Sequence, residues 1–307
     1  MPPLSRRNFL TQLSAGAAGL TAVGSVSAAH LAGNAFSLEP KRYQKAVKLG
    51  MVGEGDTLLQ KFELVKALGF DGIEPDSPHN LSNDELLAAQ EKTGLKIHGV
   101  VDSAHWGKPF SHPDKKVRAE GVAALRTAIQ DAKILGASTV LVVPAVVNKS
   151  ISYADAWNRS QKEIAKVIPQ AEEAGISIAF ENVWNNFLLS PLEMARYIDG
   201  FESKSVGAYL DVGNLVRYAW PEHWVEALGH RIMKVDVKEY SRKKQNDEGL
   251  WKGFSAELHE GDCDWPAVMK ALEKVGYTGW FTAEVSGGGR ARLQKIAHGM
   301  NRIFTGK

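Results

Sequence analysis

Four acidic residues each stand at the end of a short apolar run: Phe180-Glu181, Leu210-Asp211, Val235-Asp236 and Ala283-Glu284. One such carboxylate alone reads as a salt bridge or a cap. Four gathered in one place are different, because like charges in a low dielectric cannot all stay ionised without compensation. A divalent cation supplies that compensation, and an all-oxygen donor set suits Mn²⁺ first, with Mg²⁺, Co²⁺ or Zn²⁺ as substitutes. The sequence therefore predicts a centre for one divalent metal ion made by Glu181, Asp211, Asp236 and Glu284.

Such a centre needs elements that bring the four runs together. From Val47 onward, short runs rich in β-branched residues alternate with longer amphipathic ones, in eight pairs. The expected strands are 47–53, 72–76, 96–102, 139–145, 177–183, 206–212, 232–238 and 279–285. Helices are expected at 57–68, 84–93, 114–135, 154–174, 191–198, 221–228, 265–275 and 290–303. Ser190 before Pro191 is a helix start, and Gly94 and Gly136 fall where helices should stop. Eight strand–helix repeats predict an α/β fold, a single (β/α)8 TIM barrel over residues 47–307, with 30–46 as a linker. The rival is an open doubly wound sheet. It would want Gly-x-Gly-x-x-Gly after an early strand, and Gly53-Glu54-Gly55-Asp56 lacks the third glycine.

In such a barrel the active site lies at the carboxyl ends of the strands. Other candidates there are Glu74 and His98, and then Asn185 and Asn214 after the acids of strands five and six. Three longer stretches carry a resemblance: Glu181-Asn182-Val183-Trp184-Asn185-Asn186-Phe187-Leu188-Leu189-Ser190-Pro191-Leu192-Glu193, Asp211-Val212-Gly213-Asn214 and Gly261-Asp262-Cys263-Asp264-Trp265. From Lys48 to the C-terminus the chain resembles the xylose isomerase-like barrel superfamily of sugar isomerases and epimerases. Its nearest look is to the hexulose-6-phosphate and L-xylulose-5-phosphate isomerase and epimerase branch.

The resemblance implies that Glu181, Asp211, the strand-seven residue and Glu284 bind the metal, with Glu181 and Glu284 moving protons on either side of a sugar. It departs at strand seven, where the family usually has His and this chain has Asp236 before Lys238 and Glu239. Asn214 stands where relatives often carry a substrate-binding His, and Arg242 where they place an arginine on substrate oxygens. A metal-polarised carbonyl makes the neighbouring C–H acidic. Returning the proton to the neighbouring carbon isomerises, returning it to the opposite face epimerises, and losing a β-substituent eliminates. Lys238 is the expected charge stabiliser, and His98, His105, Trp106 and Trp184 the expected pocket wall. A metal-dependent sugar isomerase or epimerase is thus expected. Two alternatives are a lyase of 3-keto-glycosides and a sugar-binding barrel without turnover. The endonuclease IV branch would need more histidines and a basic face.

Ser5-Arg6-Arg7-Asn8-Phe9-Leu10 followed by a weakly apolar stretch and Val26-Ser27-Ala28-Ala29 reads as a Tat signal peptide over 1–29, so a periplasmic or secreted protein is expected. The stretch is too short and too rich in small residues for a stable membrane anchor. Formal net charge is +2, and without Arg6 and Arg7 the remainder balances, which gives nucleic acid no hold. The only cysteine, Cys263, excludes an internal disulfide and reads as structural. The basic run Arg242-Lys243-Lys244 reads as a solvated loop beyond Arg242. Export argues against a phosphorylated substrate, and the dimers and tetramers of relatives point to a homo-oligomer.

Overall fold

Alternating apolar strands and amphipathic helices close into a parallel barrel in the computed structural model, which describes residues 42–306. The predicted signal peptide and most of the predicted linker lie outside the described residues. Strand one is Tyr43–Lys48; strand two is Gly72–Glu74, resuming after Pro75 as Asp76–Ser77; strand three is Lys96–Ile97, resuming after His98 as Gly99–Asp102. Strands four to eight are Thr139–Val142, Ser177–Glu181, Val206–Asp211, Ile232–Val237 and Gly279–Ala283. Each pairs in parallel with its sequence neighbour, and strand one pairs with strand eight (Val47 opposite Ala283), so the sheet has no free edge. Pairing between strands two and three shifts from Gly72–Lys96 to Asp76–Val101 across the two interruptions.

The eight helices predicted between strands are present, and their boundaries follow capping chemistry. Thr57 accepts from the Gln60 N–H while the Gln60 side chain takes backbone donors of Asp56 and Thr57, starting the helix Leu58–Ala67. Asp114 caps Lys115–Leu135, and Gly136 ends it at φ 70°, a conformation that a side chain would oppose. The single helix expected at 154–174 is two, Tyr153–Ala165 and Ile168–Ala174; Pro169, which has no N–H to donate, falls in the first turn of the second.

Two further expectations need correction. Strand one lies at Tyr43–Lys48, not 47–53, so it begins inside the predicted linker, and Leu49–Met51 form a 3-10 turn. The run after Ser241 is not a solvated loop. Arg242–Glu248 is a helix capped by Ser241, followed by the 3-10 segment Leu250–Ser255. The apolar residues between barrel and helices form one continuous core that includes Phe62, Ile73, Val140, Phe180, Leu210, Trp224 and Phe281. None of the described helices is long and apolar enough to cross a membrane.

Candidate metal centre and active site

The closing acid of each of strands five to eight lands in one place. Glu181, Asp211, Asp236 and Glu284 each offer an oxygen, all within 4.8 Å of one another. Asn182 fixes Asp211 by a double clasp: its Nδ2 donates to the Asp211 carbonyl (2.7 Å) and its Oδ1 accepts from the Asp211 N–H (2.9 Å). The Asp211 carboxylate in turn accepts from the Asn214 N–H (2.8 Å) and so caps the short helix Val212–Val216. Asn214 Nδ2 reaches the Asn182 carbonyl (3.0 Å) and Glu181 Oε1 (3.3 Å). Two strand-end acids are therefore held by one asparagine pair.

Two lysines enter this acidic cluster. Lys238 Nζ is 2.7 Å from Asp211 and 3.1 Å from Glu284. Lys48, at the end of strand one, is 2.9 Å from Glu284, 3.1 Å from Asp236 and 3.8 Å from Glu74. Sequence reasoning missed Lys48 because the strand-one register placed it inside a strand. Burial alone would lower the Lys48 pKa, but Asp236, Glu284 and Glu74 raise it well above its ordinary value. Burial lifts Glu181 and Asp236 well above the usual carboxylate range, and neighbouring carboxylates push the same way. Glu284 goes in the opposite direction: burial opposes its charge, but Lys48 and Lys238 hold it below that range.

With all four carboxylates ionised, as metal ligation would require, the two ammonium groups leave two negative charges, the charge that one divalent cation balances; without a cation, burial drives Glu181 and Asp236 toward their neutral forms. Asp236 Oδ1 is buried with no hydrogen-bond partner. A hard or borderline cation is the partner that such an oxygen set accepts, so the residues fit the group.

Above the carboxylates opens a cavity of about 490 Å³ lined by Glu181, Glu284, Lys238, Asn214, Trp106 and Trp184 among the residues the sequence nominated, and by Trp251 and Phe254, which it did not. The Trp184 indole donates to the Asn214 carbonyl (2.8 Å). The other nominated residues buttress this cavity instead of lining it. Glu74 lies beneath, fully buried, where the Tyr209 hydroxyl donates to it and also meets Thr282 Oγ1 at 2.7 Å. His98 stacks on Trp280 at 4.4 Å, and its Nδ1 is 2.8 Å from Lys234 Nζ inside the barrel. Burial and Lys234 depress its pKa strongly, and burial brings Lys234 down to about 7. His105 takes the Val143 N–H on Nδ1 and is driven by burial to about 3, so it is a neutral acceptor. Asn185 holds its own loop through the Ala145 carbonyl and the Phe187 N–H. Arg242 donates to the carbonyls of Val216 and Ala219 and covers Trp220, committing its guanidinium to the backbone.

A closed parallel barrel with an acidic centre at its carboxyl-terminal mouth defines a class, and the chain belongs to it: residues 62–304 match the family described as the xylose isomerase-like TIM barrel. Among curated relatives it is similar to L-ribulose-5-phosphate 3-epimerase UlaE of Escherichia coli, 26% identical over 262 residues, covering 79% of this chain and 85% of the relative. Among solved structures, a D-tagatose 3-epimerase-like protein superposes with a TM-score of 0.70 at 19% identity, over 86% of this chain and 99% of the other. The Escherichia coli 3-keto-D-glucoside 4-epimerase YcjR superposes with a TM-score of 0.72 at 15% identity, over the same shares of the two chains. These two likenesses concern the fold.

Proposed function

We propose that the protein is a divalent-metal-dependent epimerase or isomerase of an unphosphorylated sugar, working by proton transfer next to a carbonyl. The observation that carries this reading is the gathering of four strand-end carboxylates, with oxygens within 4.8 Å of one another, at the floor of an open cavity. Glu181, Asp211, Asp236 and Glu284 would hold the ion, which when bound supplies Lewis-acid polarisation of a carbonyl. Glu284, half-buried where it lines the cavity and kept ionised by its two lysines, would take a proton from the sugar carbon. Glu181, with Asn214 Nδ2 on its Oε1, is placed to return one. Lys238, between Asp211 and Glu284, stabilises negative charge that develops on a sugar oxygen. The curated relative named above is a sugar-phosphate 3-epimerase, which supports the reaction class.

The phosphate is left out for a structural reason. Loops after strands seven and eight, together with a helix N-terminus, are the usual phosphate site of such barrels. Here the Arg290 N–H at the start of the helix Arg290–Thr305, which follows strand eight, donates to Glu54 Oε2 (2.7 Å), so a carboxylate of the chain stands beside that helix start and disfavours an anion there. A keto-glycoside that loses its aglycone by elimination would use the same proton abstraction, and product analysis separates that outcome from epimerisation. Export by the Tat route, manganese as the resident ion and a homo-oligomeric state belong to the same proposal.

The test is elemental analysis of the purified mature protein beside Asp236→Ala, followed by NMR of ketohexoses in D2O. About one equivalent of a divalent ion, lost in the variant, together with deuterium entering at the carbon next to the ketone, is the expected result. No stoichiometric metal after reconstitution and no exchange would overturn the reading.

A further inference from the structure

The wall of the cavity carries more aromatic surface than one sugar ring covers. Trp184 packs against Trp251 (5.0 Å) and Phe254 (4.8 Å), and Tyr240 backs both Trp184 and Phe254. This panel rises from the loops after strands five and seven. Trp106 comes from the loop after strand three, which lies diametrically across an eight-stranded ring from strand seven. Trp251 is 69% exposed and Trp106 is 53% exposed, although both border the cavity that holds the carboxylates. Single exposed apolar residues are ordinary on a protein surface. Two tryptophans on opposite sides of one cavity mouth offer two apolar faces to a ligand, and an indole face takes a flat apolar ring with little loss of side-chain freedom.

The charges at the mouth agree. Lys238 is the one cation lining this cavity among the described residues, and it is already engaged by Asp211 and Glu284. Arg217 sits over the Trp184 ring at 5.0 Å without lining the cavity, and the lining itself offers aromatic faces that would hold a ring. A volume of about 490 Å³ lies within the range of clefts that enclose ligands of two rings.

We propose that the cavity is a two-ring site: the acidic floor takes the reacting keto-sugar, and the aromatic rim to which Trp251 and Trp106 belong takes the second ring of an O-glycoside. The substrate class is then an unphosphorylated O-glycoside whose reacting ring carries a ketone, with a sugar or aromatic aglycone; simple glycosides, which lack that ketone, serve as unreactive binding probes. This deepens the sugar-epimerase reading above and rests on it.

Calorimetric titration of the manganese-loaded protein with matched phenyl and methyl glycosides (α and β, gluco and galacto) and the free hexoses tests it. Stacking of one ring is worth up to about ten-fold in affinity, so the best phenyl glycoside should bind roughly ten-fold more tightly than its methyl partner. Trp251→Ala and Trp106→Ala should shrink that gap to within about two-fold, with the bound-metal stoichiometry unchanged. Saturation-transfer NMR on the unaltered protein needs no variant, and should show the strongest transfer to aglycone protons. Equal binding of phenyl, methyl and free sugars would overturn the two-ring site while leaving the epimerase reading intact. So would a Trp251→Ala protein that changes oligomeric state in light scattering but keeps its ligand preference, which would make Trp251 a subunit contact. Failure of every sugar to bind, with no metal retained, would remove both readings.

Discussion

Replacing Lys48 with Met removes one of the two internal cations of the centre and leaves the acids in place. Lys48 Nζ lies 2.9 Å from Glu284 and 3.1 Å from Asp236, and only 16% of its side chain is exposed. At an effective dielectric of about 20, each contact at about 3 Å carries roughly 5 kcal/mol of Coulomb attraction. Most of that is offset, because the variant no longer desolvates an ammonium and its acids can take up protons. Removal of one partner from a buried pair typically leaves a net cost of about 3–5 kcal/mol. For a domain of this size that lowers the Tm of the metal-free protein by on the order of ten degrees.

The metal-loaded protein should respond differently. With three uncompensated acids instead of two, Lys48→Met draws the cation more strongly, so its Mn²⁺ affinity rises while its metal-free stability falls. Calorimetric melts in chelator and in excess Mn²⁺, with a Mn²⁺ titration of each protein, read both quantities. A variant that melts with the unaltered protein in chelator, or that binds Mn²⁺ more weakly, would refute the charge balance assigned to Lys48.

Further consequences can be measured separately. Glu181→Gln and Glu284→Gln should each lower kcat by about 10²–10⁴-fold in the deuterium-exchange assay without unfolding the barrel; near-normal exchange in both would remove the proton-transfer roles. Burial raises Asp102 from 3.8 to about 7, so its contribution to stability is greatest at low pH and is lost as pH rises from about 4 to about 7. Asp102→Asn should therefore gain on the unaltered protein across that window, by at most about 4 kcal/mol, and denaturant melts at pH 4.5 and 8 that show no change in their difference would contradict it. A side chain at Gly287 would meet the Met51 carbonyl oxygen at 2.2 Å, so Gly287→Ala should lower the Tm by several degrees as the loops after strands one and eight part. An unchanged melt would show that those loops yield freely.

The acids were legible in the sequence because a buried parallel strand is a run of apolar residues, and the first charge that interrupts it marks the strand's end. Glu181, Asp211 and Glu284 obey that rule, whereas Asp236 follows the buried Lys234 inside strand seven and stands one residue before its end. Lys48 did not, since the apolar run Leu49-Gly50-Met51-Val52 continues past the strand as a 3-10 turn and a bridge to Gly288. Those residues are apolar because of what they pack against, and composition alone cannot distinguish that from an extended strand. The breaks at Pro75 and His98 were equally hidden, and with them the interior position of His98 and Glu74. The helix Arg242–Glu248 buries no residue, so it shows no apolar stripe; a Ser241 cap and a Lys243–Asp247 pair help to hold it. Trp251 and Phe254 therefore escaped notice as part of the site.

Glu239 follows Lys238 and is almost fully buried, yet its two oxygens accept from the backbone N–H groups of Tyr240, His259 and Cys263 and from the indole of Trp265. One carboxylate thus clamps both feet of the excursion that carries Trp251 and Phe254, immediately beside Lys238. Residues between those feet can change in length and composition while the lysine keeps its position. The barrel in this way anchors its acidic centre apart from the wall above it: a new wall can be fitted on the same root without moving the carboxylates or Lys238.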